Sequence, residues 1–213
     1  MQLESNLMNA YHEAYRIACE KLAKCNAEDV CQNSKAVYER ETNAYTISYF
    51  GEEYRVDGVS GAVSLKNAQG EVTMTEKVLL LHYLIHSKPE SLSGRNISFM
   101  EVPEGGAVYY STFKKRAIDP LVKVFSDNIP AFKKASLTFN GASGNFGNAS
   151  TTIFAFPMVP ITYVIWQGDD EVASSGTILF DASIPCFLPV EDIVLAASFG
   201  TYKLMAKAKS YTK

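Results

Sequence analysis

A chain of 213 residues, 47% apolar and 20% charged, can bury a sizeable core and is too weakly charged to stay disordered. Its net charge of −3 argues against a nucleic-acid partner, which calls for a basic excess or stripe. No apolar run approaches the ~20 residues that span a bilayer. The opening Met1-Gln2-Leu3-Glu4 lacks the basic-then-apolar pattern of a secretory signal. A cytoplasmic protein with no membrane partner is therefore expected.

The first predicted element is an amphipathic helix over residues 3–24, with Leu7, Ala10, Tyr11, Ala14, Ile17, Ala18 and Leu22 at three- and four-residue steps. An irregular stretch follows. Alternating runs at 35–39, 44–50, 53–57 and 62–65, punctuated by Gly51, Asp57-Gly58 and Gly61, predict an antiparallel meander in which Tyr45, Ile47 and Tyr49 share one face. Thr73 and Glu76 form a capping-box pattern ahead of a helix over 74–87 that is apolar nearly all round and so deeply buried.

Beyond Lys88-Pro89, a strand is predicted over 96–102, then a helix from about Tyr109 with Phe113, Ala117, Leu121 and Val124 in one stripe. Pro120 interrupts it, either as a kink or as the first residue of a second helix capped by Asp119. A short helix over 129–135 precedes a Gly-, Ser- and Asn-rich loop over 140–150. Strong strands follow at 151–156 and 161–166, then a polar turn at Gly168–Glu171, an apolar run at 177–180, and a last helix opened by Pro189.

These elements define an α+β fold, a twisted, largely antiparallel sheet with helices packed against it. A single domain is expected over residues 1–213. It divides into an amino-terminal helix and irregular segment (1–34) and a core with the carboxy-terminal helix (35–209). Leu79, Leu81, Leu84, Phe154, Ile161, Val164 and Ile178 are expected in the core. Cys19, Cys25 and Cys31 follow a C-x5-C-x5-C spacing and lack the C-x2-C pair typical of compact metal sites, so together with Cys186 they are expected to be free thiols.

The segments Lys77–His86, Tyr110–Leu121, Val159–Glu171, Ile178–Asp181 and Phe187–Asp192, in that order, resemble an uncharacterised domain-of-unknown-function family of anaerobic bacteria and archaea. The resemblance covers residues 35–200. It implies an anaerobic setting and an accessory role beside an iron–sulfur or corrinoid protein, and it brings no established activity or cofactor. Where relatives often carry a histidine before the Tyr/Phe-Leu-Pro segment, this chain has Cys186, so no site built on that histidine is expected here.

Several constellations offer chemistry. His82 and His86, four apart on one helix face, could share a metal, although the Glu of an H-E-x-x-H motif is replaced by Tyr83. Asp169, Asp170 and Glu171, with Asp181 and Asp192, could hold a hard cation. Gly105-Gly106 with Lys114, Lys115 and Arg116 could hold an anion. A small-molecule cleft is expected where Trp166, Asp169, Asp170, Asp181 and Cys186 converge. No nucleophile elbow or phosphate loop is present. The first expectation is thus a small-molecule- or cofactor-binding accessory protein. The alternative is a metal-assisted enzyme using His82/His86 or Asp169/Asp170/Asp181.

Overall fold

The computed structural model describes residues 2–210, with side-chain surroundings from residue 8 onward; Leu7, expected on the apolar face of the first helix, lies outside the residues whose side chains are described. The fold is α+β, with antiparallel sheets and packed helices. The strands divide between two sheets, one in each of two compact units. Residues 1–90 with 186–188 form the first unit, and 91–185 with 189–213 form the second. No helix among the described residues is long and apolar enough to cross a membrane.

The first unit opens with α1 (Gln2–Leu22) and α2 (Ala27–Ser34). The stretch expected to be irregular is thus partly helical. Asn26 caps α2 by accepting the backbone N–H groups of Glu28 at 2.8 Å and Asp29 at 3.2 Å. The expected meander follows as β1 (Val37–Glu39), β2 (Ala44–Tyr49), β3 (Glu52–Asp57) and β4 (Val63–Leu65), antiparallel and in chain order. Tyr45, Ile47 and Tyr49 are buried as the alternation predicts. The turn after β3 holds Gly61 in the left-handed region, at φ +71°. A side chain there would also strike Cys19, because a Cβ would stand 2.4 Å from its sulfur. Cys19 is half-buried against this turn, within hydrogen-bonding reach of Tyr15.

Helix α3 (Met74–His86) starts where the capping box predicts. Thr73 accepts the Glu76 N–H, and Glu76 accepts the Thr73 N–H at 3.1 Å. Its residues Val78 to Leu81, Tyr83 and Leu84 are buried, and it packs against α1 and α2. The Tyr83 hydroxyl donates to the Ser34 carbonyl at 2.8 Å, which satisfies the one polar atom that this apolar helix carries inward.

In the second unit the predicted strand at 96–102 is shorter. β5 (Asn96–Ser98) gives way to a 3-10 turn, Phe99–Glu101, because Ser98 and Glu101 form a capping box that diverts the backbone N–H of Ser98 from the sheet. Helices α4 (Gly106–Phe113) and α5 (Asp119–Phe125) are joined by a five-residue π-turn, Lys114–Ile118, and α6 (Ile129–Leu137) follows. Pro120 therefore neither breaks the helix nor lets Asp119 cap a new one, since Asp119 is itself helical at φ −58° and ψ −43°. The proline ring would clash with a carbonyl four residues back in a regular α-helix, and the wider turn just ahead of it accommodates the ring.

The second sheet contains β6 (Ala142–Gly144), β7 (Ala149–Phe156), β8 (Val159–Trp166) and β9 (Ser175–Asp181), in the order β5-β9-β8-β7-β6. Part of the loop expected at 140–150 is thus an edge strand, a role that backbone pairing fills without help from side chains. Helix α7 (Val190–Ser210) packs on this unit. Tyr163 on β8 donates to the Ala197 carbonyl at 3.2 Å, and Thr201 donates to the Ala117 carbonyl at 3.0 Å. Six of the seven expected core residues are buried; Phe154 is 49% exposed. Phe154 faces out by ordinary alternation with buried Ile153, and the register shift between Phe154 and Phe156, a β-bulge, then turns Ala155 and Phe156 both inward.

Candidate functional site

The residues expected to form one cleft are set apart by the antiparallel pairing of β8 and β9. Trp166 pairs with Ser175 at one end, while Phe180 pairs with Ile161 at the other. At about 3.3 Å per residue, Asp181 lies about 20 Å along the sheet from Trp166. Asp169 and Asp170 sit in the exposed connection between these strands. Asp169 accepts the N–H groups of Glu171 at 2.9 Å and Val172 at 2.8 Å, and the donors from Val172 and Glu171 hold its carboxyl below the usual range. This is a turn-forming carboxylate. Cys186 ends a 3-10 turn, Ile184–Cys186, and groups with the first unit, where its carbonyl accepts the Lys88 N–H at 2.9 Å.

Asp181 is 7% exposed and heavily hydrogen-bonded. Its Oδ1 accepts the N–H and hydroxyl of Ser93, both at 2.9 Å, and the N–H and hydroxyl of Ser183 at 2.9 and 2.6 Å. Its Oδ2 accepts the Gly94 N–H at 2.7 Å. Burial alone would raise its pKa, but the Ser183 and Ser93 donors outweigh burial and bring it down to about 2. The side chain fastens the loop before β5 to the end of β9, and five donors already hold its charge. Glu191, in the first turn of α7, accepts the Tyr109 hydroxyl at 2.8 Å.

His82 and His86 do meet. Their rings lie edge to face with centroids 5.5 Å apart, His82 half-buried and His86 exposed. Among the described residues, no group of three or more His, Cys, Asp or Glu side chains gathers around a common point. The Gly105-Gly106 anion arrangement does not form. Gly106 opens α4, and Lys114 lies eight residues further on, about 12 Å along the axis.

The structure supplies a hollow that the sequence reading missed. It has a volume of about 710 Å³ and lies between α2 and β1. Asn26, Glu28, Cys31, Tyr38 and Arg40 give it polar groups, and Ala27, Ala36 and Val37 give it apolar wall. Arg40 reaches across to Glu28 at 2.9 Å, with both side chains exposed. The Cys31 thiol is half-buried; burial pushes its pKa up, and the facing Tyr38 N–H opposes that rise. The available signal was the capping pattern at Asn26-Ala27-Glu28-Asp29, which marks a helix start directly before the meander.

The architecture and these sites describe an α+β protein with two antiparallel sheets. Residues 26–202 match the domain of unknown function DUF3786, and the chain belongs to that family. The match begins at the Asn26 cap and ends within α7. No curated protein and no solved structure matches the chain.

Proposed function

We propose that this chain is a non-catalytic, small-molecule- or cofactor-binding accessory protein whose ligand seats between α2 and β1. The observation that supports the reading is the hollow itself. Its volume falls in the range of small-molecule sites, and it combines apolar wall with a carboxamide, a thiol and an ion pair on its rim. The acids that an enzymatic reading would recruit have structural duties: Asp181 accepts five hydrogen bonds, and Asp169 builds a turn. A cytoplasmic, anaerobic setting beside an iron–sulfur or corrinoid protein is the part of the proposal that rests on the family resemblance.

The test uses tag-free protein purified without oxygen. Mass spectrometry of released small molecules and a visible spectrum identify any bound ligand, and thermal unfolding with added candidates follows. A ligand at about 100 times its Kd adds about 2.7 kcal/mol. The expected result is stabilisation that Arg40→Ala removes while unliganded stability stays unchanged, because Arg40 is exposed. Ligand stabilisation that survives both Arg40→Ala and Cys31→Ser would remove the hollow from the proposal.

A second reading, a metal-assisted enzyme at His82 and His86, is favoured by the ring separation of 5.5 Å. Stoichiometric metal that is lost in His82→Ala would support it.

A further inference from the structure

The π-turn between α4 and α5 has a consequence for side-chain placement. In an α-helix, residues five apart point about 140° away from each other. In this turn the Asp119 N–H bonds to the Lys114 carbonyl, five residues back, and the wider coil sets these two residues one above the other. Their side chains form an ion pair, with both groups about half exposed. Beside them lies a hollow of about 430 Å³. Its walls are Lys114, Asp119 and Lys123 from the helical segment, Ser174 from the connection before β9, and Ser175 at its start. Ile118 and Val122 give it an apolar floor. Gly176 makes room for that floor, since a Cβ there would stand 2.7 Å from the Val122 side chain.

Lys114 and Lys123 bring two positive charges to this hollow against the single negative charge of Asp119, and the two serines add hydroxyls. Ammonium groups are compact charges suited to phosphoryl oxygens, and hydroxyls complete the coordination of a tetrahedral anion. We propose that this hollow binds the phosphoryl group of a small soluble molecule, with Lys114 and Lys123 as its cationic contacts and Asp119 as a resident carboxylate that competes for Lys114. The site lies wholly in the second unit and does not depend on the α2–β1 reading.

The competition gives a test with opposite signs. The isotope-labelled full chain is titrated with inorganic phosphate at constant ionic strength, and the backbone amide signals of Ser174, Ser175 and Gly176 are followed. Saturable shifts centred on these amides are expected. Lys123→Ala weakens binding about tenfold, the equivalent of one charge-assisted contact. Asp119→Asn tightens it severalfold by releasing Lys114. Both residues are exposed, and thermal unfolding of each variant verifies the fold. The proposal is overturned if chloride alone reproduces the shifts, if they never saturate, if Lys123→Ala leaves binding unchanged, or if Asp119→Asn fails to tighten it. Malonate binding more tightly than phosphate would overturn the phosphoryl assignment.

Discussion

Replacing Asp181 with asparagine removes the charge from a carboxylate that accepts five hydrogen bonds while keeping its shape. The folded-state pKa of about 2 lies nearly two units below the value of an unfolded aspartate. Asp181 is 7% exposed as a residue, and solvent screening takes part of the ~1.4 kcal/mol per unit that such a shift carries. The difference therefore corresponds to about 2 kcal/mol of stability. Because the folded value is depressed, that stability is complete above about pH 4 and is lost as pH falls through about 2. Asparagine would keep its oxygen at the Oδ1 position, which accepts four of the bonds, and so would turn its amide toward the Gly94 N–H. Two facing donors add at least another ~1 kcal/mol, for about 3 kcal/mol in all at neutral pH. Trp166 is the only tryptophan and lies in the second unit, so urea unfolding followed by its fluorescence reads the affected region. The gap between Asp181→Asn and the unaltered protein should narrow from pH 4 to pH 2. A loss below about 1 kcal/mol at neutral pH, or an identical acid profile in both proteins, would refute the account of this carboxylate.

Leu81 is fully buried, so Leu81→Ala should cost ~2–5 kcal/mol in denaturant unfolding; a cost near zero would mean α3 is peripheral. The bulge in β7 predicts unequal neighbours: Phe156→Ala should lose ~3–5 kcal/mol and Phe154→Ala under ~1 kcal/mol, and equal losses would count against the register shift. Thiol titration of denatured, unreduced protein should find four groups, since all four cysteines are free; two would reveal a bridge. Thr73→Ala should lower stability by ~1 kcal/mol by removing the acceptor at the start of α3, and an unchanged midpoint would show that this capping box is energetically idle.

The features legible in the sequence were those whose causes are local. The Thr73–Glu76 box lies within four residues of the helix that it starts, and the alternation of Tyr45, Ile47 and Tyr49 needs only the pleat of its own strand. The role of Asp181 was not legible, because its partners at Ser93 and Gly94 lie 88 and 87 residues earlier. The expected cleft treated the ends of β8 and β9 as neighbours. In a hairpin the end of one strand meets the start of the next, so Trp166 met Ser175 and not Asp181. The π-turn escaped because its hydrogen bonds shift by one residue without any change in the apolar stripe of Phe113, Ala117 and Leu121, all three of which are buried. The histidine pair was legible because four-residue helical spacing alone brings the rings together.

The first unit is not contiguous in the chain, since Cys186, Phe187 and Leu188 complete it after the whole second sheet has been laid down. Phe187 and Leu188 are 0% and 1% exposed. A ribosome making this protein amino end first therefore releases residues 1–90 almost 100 residues before the last three that group with them. A fragment cut after Glu90 would lack the three residues that group with it, two of them buried in the whole chain, so the halves of this protein should be studied by joining distant segments rather than by truncation.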